Sequence, residues 1–227
     1  MTTVLGMFVK PPVPGTVKTR LAADIGNEAA AELYAAFVID LIGKYATTGD
    51  QRVLGFGGND PNAAQEWATS VAGNSFCPWP QPNGDLGSRI QSFFNYGCEL
   101  AGHDARVVLV GSDSPNLPRE YVERAFAILE GRDVVIGPAS DGGYYLIGMR
   151  GQSWPIFDAV EWSSPLVFEQ TVANVEEAGR SLGLLPIWYD VDTVSDARML
   201  GAHLKAAALS GENDELPTTM SLLNRLF

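Results

Sequence analysis

The chain has 227 residues, of which 46% are hydrophobic and 19% charged, the composition of a globular domain that can bury a sizeable core. Its formal net charge of −12 argues against a nucleic-acid or anionic-membrane partner, because both require clustered lysine and arginine. Two isolated cysteines, no apolar run near the roughly 20 residues of a membrane span, and an N-terminus without a signal-peptide charge pattern favour a cytoplasmic protein without disulfides or zinc.

Apolar runs and amphipathic stretches alternate along the chain, which is typical of a sheet covered by helices. In chain order the predicted elements are strand Val4–Val9, a helix capped by Asn27 that carries Leu33, Phe37, Leu41 and Tyr45 on one face, strand Arg52–Phe56, helix Asn62–Val71, helix Leu86–Leu100, strand Arg106–Val110, helix Pro118–Leu129, strand Val134–Ile136, strand Tyr144–Met149, helix Pro165–Ala178, strand Leu184–Tyr189 and helix Ser195–Leu209. The segment Ser75–Asp85, rich in proline, tryptophan and glycine, fits neither pattern.

The alternation of strands and helices predicts right-handed crossovers, and therefore a mostly parallel sheet with helices on both faces. The closely spaced strands Val134–Ile136 and Tyr144–Met149 break the alternation, which indicates at least one antiparallel strand. We therefore expect an α/β fold with a mostly parallel mixed sheet, built as one domain over residues 1–227. Residues 210–227 are expected to form a C-terminal tail, made of a loop and a short terminal segment.

The loop after the first predicted strand concentrates positive charge. In open α/β sheets ligands bind at the carboxyl ends of the strands, so a site is expected in such loops. Lys10, Lys18 and Arg20 all precede the first acidic residue, Asp24, and prolines together with Gly15 predict a stiff, tight turn. Backbone N–H groups and cationic side chains suit phosphate oxygens, although neither a Walker A nor a Rossmann glycine pattern is present. The alternative is a solvated surface loop.

Carboxylates follow two of the predicted strands. Asp113 comes after the strand Arg106–Val110, where a hard oxygen ligand suits Mg²⁺ or Mn²⁺ bridging to phosphates. Asp190 and Asp192 follow the last predicted strand and share one side of an extended chain, so either is a candidate second ligand. In the alternative interpretations, Asp113 belongs to a turn that caps the next helix, and Asp192 or Thr193 caps the last one.

A glycine pair precedes the predicted strand Tyr144–Met149. Gly142 and Gly143 permit close approach of a ligand to the backbone, and Tyr144 or Tyr145 could then contact a substrate. The alternative is a glycine-rich hairpin turn whose tyrosines pack in the core.

The two histidines, His103 and His203, have no serine or cysteine partner pattern and are expected at the surface. Without a G-x-S-x-G pattern, a Ser–His hydrolase is not supported. Trp154, Trp162 and Trp188 are candidate interface aromatics of a homodimer, with burial in the core as the alternative.

Several motifs occur in an order that resembles the nucleotide-diphospho-sugar transferase superfamily. Within that superfamily the chain resembles the small bacterial glycosyltransferase-like group of unknown function found near radical-SAM proteins. The motifs are KPPVPGTVKTRL from Lys10, QPNGDLGSR from Gln81, GSDSP from Gly111, GPASDGGYYLIG from Gly137, WSS from Trp162 and DVDT from Asp190. The match extends from about Leu5 to Leu200, so it covers nearly the whole chain.

The resemblance implies a GT-A-type three-layer α/β/α sandwich, a nucleotide bound by the first loop, and a divalent metal held by Asp113 with Asp192 as the second carboxylate. It also implies that Asp85 and Arg89 lie in a loop that covers the nucleotide or the acceptor. The residues expected to bind nucleotide or substrate are Lys10, Gly15, Lys18, Arg20, Asp85, Arg89, Ser112, Asp141, Gly142 and Gly143. The expected catalytic residues are Lys18, Arg20 and Asp113.

One departure from the family pattern bears on the reaction. Many GT-A glycosyltransferases carry an Asp-x-Asp metal motif, whereas Ser112-Asp113-Ser114 supplies one carboxylate. The first hypothesis is glycosyl transfer from a nucleotide-diphospho-sugar to a small-molecule acceptor. The second is transfer of a nucleotide from an NTP to a small phosphorylated substrate, with release of pyrophosphate. The third is a nucleotide-binding module without catalysis.

Overall fold

The computed structural model describes residues 1–102, 104–212 and 216–227. Its strands are β1 (Thr3–Val9), β2 (Gln51–Phe56), β3 (Cys77–Pro80), β4 (Arg106–Val110), β5 (Val134–Pro138), β6 (Tyr144–Arg150) and β7 (Leu182–Leu184). Its helices are α1 (Thr19–Ile25), α2 (Asn27–Lys44), α3 (Pro61–Ala72), α4 (Leu86–Ala101), α5 (Arg119–Ile128), α6 (Val167–Glu177), α7 (Val194–Ser210) and α8 (Pro217–Leu226). No helix within these ranges combines the length and the apolar character needed to cross a membrane.

Across the described residues the strands form a seven-stranded sheet in the order β3-β2-β1-β4-β6-β5-β7. Strand β6 runs antiparallel to both of its neighbours, β4 and β5, and the remaining pairs are parallel. The mostly parallel mixed sheet is thereby confirmed, and the antiparallel strand is one of the closely spaced pair that predicted it. Because β6 is reversed, its first residue, Tyr144, lies at the sheet edge where β4 ends.

Buried side chains alternate between the two faces of the sheet, as the pleat of a strand requires. Along β1, Leu5 and Met7 pack in a cluster with residues of α1, α2, α3, α5, α7 and α8. Val4 points to the opposite face, where Phe93 and Phe94 of α4 lead a second cluster with α6. Helices therefore cover both faces, and the three-layer α/β/α sandwich is confirmed.

The structure differs from the expected elements in local details. The cap of α2 is Gly26 in a conformation with φ of 87°, so the prediction of Asn27 as a side-chain cap was wrong. The last strand covers Leu182–Leu184 rather than Leu184–Tyr189, because Pro186 has no N–H group to donate to a strand ladder. Helix α1 and the proline-containing edge strand β3 were not predicted.

The C-terminal segment is a helix that packs on the domain. The backbone N–H groups of Thr218 and Thr219, in the first turn of α8, donate to the buried carboxylate of Asp40 on α2 at 3.2 and 2.7 Å. Leu223 is buried on the same side. The predicted loop of the tail falls partly on residues 213–215, which lie outside the described residues. The expected terminal segment is therefore an ordered part of the α2 face.

One of the two histidines departs from its expected surface position. His203 is half-buried, and its Nδ1 atom lies 3.0 Å from both the Tyr189 hydroxyl and the Asn116 side-chain nitrogen. A hydroxyl and an amide that meet at one ring nitrogen hold this imidazole in a fixed orientation. His103 lies outside the described residues.

Candidate functional site

A cleft of about 650 Å³ opens where β1 and β4 end, beside the start of β6. This is the point at which the strand order reverses, because β2 lies on one side of β1 and β4 on the other. The predicted site residues that line the cleft are Lys10, Lys18, Arg20, Arg89, Ser112, Asp113 and Asp192. Gly15, Asp85, Asp141, Gly142 and Gly143 are not part of its lining. The charged ends of four separate chain segments therefore meet at one place.

Lys18 joins the two carboxylates that the sequence singles out as metal ligands. Its Nζ atom forms ion pairs with Oδ1 of Asp113 and, at 3.0 Å, with Oδ1 of Asp192. The Lys18 side chain is only 3% exposed, whereas Asp113 and Asp192 are 52% and 37% exposed. Burial by itself lowers the pKa of the Lys18 ammonium, but the charges of Asp113 and Asp192 outweigh it and raise the pKa above the ordinary value. Lys18 therefore remains a cation.

Arg20 extends this cluster toward solvent. Its Nη1 atom lies 3.2 Å from Oδ2 of Asp192, and its side chain is 73% exposed. An exposed pair of this kind contributes about 1 kcal/mol or less to stability, so the guanidinium can change partners at little cost. Asp192 thus binds a buried cation through one oxygen and an exposed one through the other.

The backbone at Lys18 adopts a conformation that few residues other than glycine take. Its φ and ψ are 47° and 45°, in the left-handed region, and it forms the N-cap of α1. This conformation costs about 1–2 kcal/mol for an ordinary residue. The preceding turn, in which Thr16 N–H donates to Val13 at 3.0 Å and Gly15 has φ of 80°, leads the chain into it. Gly15 therefore shapes the loop rather than lining the cleft.

Tyr34, on α2, supports the cluster through hydrogen bonds, although no sequence motif includes it. Its hydroxyl lies 2.8 Å from Oγ of Ser112 and accepts a hydrogen bond from the backbone N–H of Lys10 at 3.1 Å. Burial, with a smaller contribution from the Asp113 charge, raises the pKa of the Tyr34 hydroxyl to about 12. The Lys18 ammonium is 6.0 Å from the ring centroids of Tyr34 and Phe37. Tyr34 lies beside Leu33 on the apolar helix, where the sequence pattern does not distinguish it from an ordinary core residue.

The two late carboxylates have different surroundings. Asp190 accepts a hydrogen bond from the Ser114 hydroxyl, and burial raises the pKa of its carboxyl to about 6. Asp192 faces the cleft, as described above. The N-cap of α7 is Thr193, which forms a capping box with Asp196, so Asp192 is not occupied by capping. Of the two candidate second ligands, Asp192 is the one in contact with Lys18.

Asp85 and Arg89, expected together in a loop that covers the ligand, have different positions in the structure. Asp85 is the N-cap of α4, and its Oδ1 accepts a hydrogen bond from Ser88 N–H at 2.8 Å. Hydrogen bonds from the side chain and the backbone of Ser88 lower the pKa of the Asp85 carboxyl. Arg89 lines the cleft and donates to Oε1 of Gln81 at 3.2 Å. Its charge is held by neutral oxygen acceptors and remains available to an anionic ligand.

The glycine pair packs against protein at the edge of the site. Gly142 has φ of 94°, and a Cβ atom there would lie 2.2 Å from the carbonyl oxygen of Pro165. Gly142 therefore permits close packing of the hairpin on the segment before α6. That segment contributes Ser163, with φ of 66°, to the cleft lining, and Trp162, whose ring packs edge-on against Tyr144. Tyr144 lines the cleft as well.

The donor chemistry of the cluster suits a hard divalent cation. Mg²⁺ usually takes one or two protein carboxylates and completes its shell with water and phosphate oxygens. Asp113 and Asp192 are two such carboxylates, partly exposed to the cleft and converging on one point, which Lys18 marks. Among the described residues no set of three or more acidic, histidine or cysteine side chains could hold a metal. Two carboxylates are within the number that Mg²⁺ takes from a protein when water and phosphate oxygens complete its shell.

Residues 44–164, more than half of the chain, match a family described as an uncharacterized protein conserved in bacteria, DUF2064. A crystal structure from Desulfovibrio desulfuricans G20, provisionally described as a nucleotide-diphospho-sugar transferase, is 36% identical with a TM-score of 0.88 and covers 99% of this chain and 95% of that one. A 3-phospho-D-glycerate guanylyltransferase from Phenylobacterium zucineum (strain HLK1) is 29% identical over 137 residues, 59% of this chain and 61% of that protein.

The fold alone is shared more widely. The crystal structure of a 4-diphosphocytidyl-2C-methyl-D-erythritol synthase is 12% identical, with a TM-score of 0.50 over 88% of this chain and 96% of that one. The similarity over the whole chain, the order of the strands and the order of the motifs all indicate the same superfamily. The chain belongs to the DUF2064 family and, through it, to the nucleotide-diphospho-sugar transferase superfamily.

Proposed function

We propose that this chain is a divalent-metal-dependent transferase that uses a nucleotide-activated donor, and that it transfers the glycosyl group of a nucleotide-diphospho-sugar to a small-molecule acceptor. The observation that carries the proposal is the convergence of Lys18, Asp113 and Asp192 at the carboxyl end of the sheet. The similarity over 99% of the chain to a protein provisionally described as a nucleotide-diphospho-sugar transferase favours the glycosyl donor.

The chemistry asks for positive charge at the leaving diphosphate. When the donor bond breaks, negative charge grows on the diphosphate, and preorganised cations that face it lower the barrier. Lys18 is held as a cation in the cleft, and Arg20, paired through one exposed contact, can present its planar fork to phosphate oxygens. Asp113 and Asp192 would hold the metal, which when bound neutralises charge on the phosphates.

The remaining cleft residues position these groups. Tyr34 fixes Ser112 and the backbone of Lys10, so the ends of β4 and β1 keep their spacing. Besides Lys18 and Arg20, Arg89 offers a further cationic group from the start of α4. Tyr144 and Ser163 also line the cleft, and we propose that the acceptor binds beside them.

Nucleotidyl transfer from an NTP, with release of pyrophosphate, is the second candidate. The guanylyltransferase relative favours it, as does the single carboxylate in Ser112-Asp113-Ser114. The same cations would serve, because a triphosphate also gains charge on its leaving group. The matched region spans 61% of that relative, so its substrate is not carried over to this chain.

The test is a melting-temperature screen against nucleotide-sugars and nucleoside triphosphates, each with and without Mg²⁺ or Mn²⁺. A ligand at 100 times its dissociation constant adds about 2.7 kcal/mol of stability, which is readily measured. Each stabilising donor is then incubated with candidate acceptors, and the released product is identified. A nucleoside diphosphate supports glycosyl transfer, and pyrophosphate supports nucleotidyl transfer. Binding without either product favours a non-catalytic module, and no stabilisation by any nucleotide overturns the proposal.

A further inference from the structure

In this structure the cation between Asp113 and Asp192 is a protein side chain, the ammonium group of Lys18. The Lys18 ammonium contacts Oδ1 of each carboxylate and is almost entirely shielded from solvent, whereas Arg20 reaches only the outer oxygen of Asp192. The two oxygens come from widely separated chain segments, and Lys18 comes from a third segment. Lys18 therefore bridges both carboxylates, whereas Arg20 pairs with Asp192 alone.

A divalent cation held by the same two carboxylates would compete with that ammonium for one position. Mg²⁺ binds carboxylate oxygen at about 2.0–2.1 Å, and an ammonium at about 2.7–2.9 Å, so both need the space between the oxygens. Like charges at such short range repel strongly where water is partly excluded. We therefore expect a metal and the Lys18 ammonium to exclude one another from this position.

We propose that Lys18 is a built-in counter-ion that keeps divalent metal from Asp113 and Asp192 until the phosphates of the nucleotide draw the ammonium away. This inference rests on the proposed nucleotide donor and concerns the order in which its site is filled. The metal enters with the nucleotide. Lys18 can then pair with the phosphates, and Asp113 and Asp192 can pair with the metal. At each stage every charge in the cleft keeps a partner.

The surroundings of Lys18 permit the exchange. The Lys18 side chain is a flexible chain of four methylene groups. Its ammonium lies 6.0 Å from the ring centroid of Tyr34 and 6.0 Å from that of Phe37. Because Lys18 lines the cleft, a phosphate bound there would offer its ammonium another anionic partner. The left-handed backbone of Lys18 fixes where the stem begins, directly before α1.

The first experiment measures Mn²⁺ binding to the nucleotide-free protein by electron paramagnetic resonance. Lys18→Met removes the ammonium and keeps the length of the stem, so we expect Mn²⁺ to bind about tenfold more tightly, or better, than to the wild type. Lys205→Met is the matched control, because it makes the same change of net charge on an exposed residue of α7 that does not line the cleft. Equal Mn²⁺ affinity in the Lys18 variant and in the wild type would overturn the proposal.

A second measurement uses the wild-type chain and so does not depend on the folding of a variant. In protein labelled with ¹⁵N-lysine, the Lys18 side-chain signal should not respond to Mg²⁺ alone and should shift when a nucleotide ligand is added with Mg²⁺. A shift with Mg²⁺ alone, at concentrations that load the nucleotide-bound protein, would contradict the exclusion. If no nucleotide binds, the proposed function fails on its own, while the Mn²⁺ comparison still decides whether Lys18 excludes the metal.

Discussion

The hydroxyl groups of Tyr34 and Ser112 lie 2.8 Å apart and join helix α2 to the end of strand β4. The same Tyr34 oxygen accepts from the backbone of Lys10, so one atom connects the two strand ends that flank the cleft. Both residues are buried. A residue on a helix outside the motifs thus sets the spacing of residues within them.

Tyr34→Phe should weaken both stability and nucleotide binding. The change leaves the buried Ser112 hydroxyl and the Lys10 N–H without their partner, which costs about 1–3 kcal/mol. Urea unfolding measures the stability, and titration with the stabilising nucleotide measures the affinity. Tyr96→Phe, at a partly exposed residue of α4 outside the cleft lining, is the control and should change neither. A Tyr34 variant that matches the wild type in both would remove the positioning role.

Asp113→Asn should abolish metal-dependent activity while the fold remains intact. The Asp113 side chain is 52% exposed, its amide replacement can still accept from Lys18, and Lys18 keeps its ion pair with Asp192, so the fold should remain intact. An amide is a poor ligand for Mg²⁺ in a site with so few carboxylates. Activity as a function of Mg²⁺ or Mn²⁺ concentration, with circular dichroism as the check of folding, decides the point. Full activity in this variant would end the metal role of Asp113.

Arg20→Ala should reduce nucleotide affinity by about tenfold to a hundredfold, which corresponds to the loss of one charge-assisted hydrogen bond to phosphate. The Arg20 side chain is 73% exposed and contacts only the rim of the cluster, so the melting temperature of the free protein should hardly move. Calorimetric titration measures the affinity. Arg124→Ala, on the exposed side of α5, removes the same charge outside the cleft lining and serves as the comparison. Equal losses in the two variants would point to net charge instead of a phosphate contact.

The Asp190 carboxyl should make stability fall as pH rises from about 4 to 6. Its folded pKa of about 6 exceeds the ordinary 3.8, chiefly because of burial, so the folded protein holds the proton over this range and loses the advantage above it. Hydrogen bonds lower the pKa of Asp50, Asp85 and Asp133, which act in the opposite direction, so the wild type must be compared with a variant.

Asp190→Asn is that variant, because its amide oxygen can still accept from Ser114. The free energy of unfolding of the variant, relative to wild type, should increase by about 2–3 kcal/mol between pH 4 and 7. Urea titrations across this range give the difference. A difference that does not change with pH would show that Asp190 ionises as easily in the folded protein as in the unfolded chain.

Gly142→Ala should destabilise the protein more than Gly179→Ala. Both glycines have positive φ, 94° and 64°, so both variants carry backbone strain of about 1–2 kcal/mol. Only at Gly142 would the new Cβ meet an atom, the carbonyl oxygen of Pro165 at 2.2 Å, whereas nothing lies within 4 Å at Gly179. Melting temperatures of the pair separate the clash from the strain. Equal shifts would mean that the segment before α6 yields freely.

Most of the sheet could be predicted, because a buried strand requires a continuous apolar run whatever its partners. The strand Arg106–Val110 was placed with the bounds that the structure has. Helix α1 could not be, since its seven residues are too few for an apolar period and it starts from the left-handed Lys18. The strand Cys77–Pro80 contains two prolines, which only its edge position allows.

The sequence singled out Lys18, Asp113 and Asp192, which all line the cleft, but their contacts could not be predicted. Lys18 and Asp192 are 174 positions apart, and no local pattern indicates that the ammonium of one meets the carboxylate of the other. The sequence assigned Asp85 to substrate binding, and the structure places it as a helix cap, since both roles use an exposed aspartate before a helix. Tyr34 was missed because a tyrosine on an apolar helix face has the same pattern as an ordinary core residue.

Helix α8 ends the chain against α2, the helix that carries Tyr34, with Asp40 accepting from its first turn. Deleting the last dozen residues would remove the two backbone donors to the Asp40 carboxylate. It would also expose the core residues against which Leu223 packs. Such a truncated chain would keep every cleft residue. Any loss of nucleotide affinity would then come from a displaced α2, which carries Tyr34.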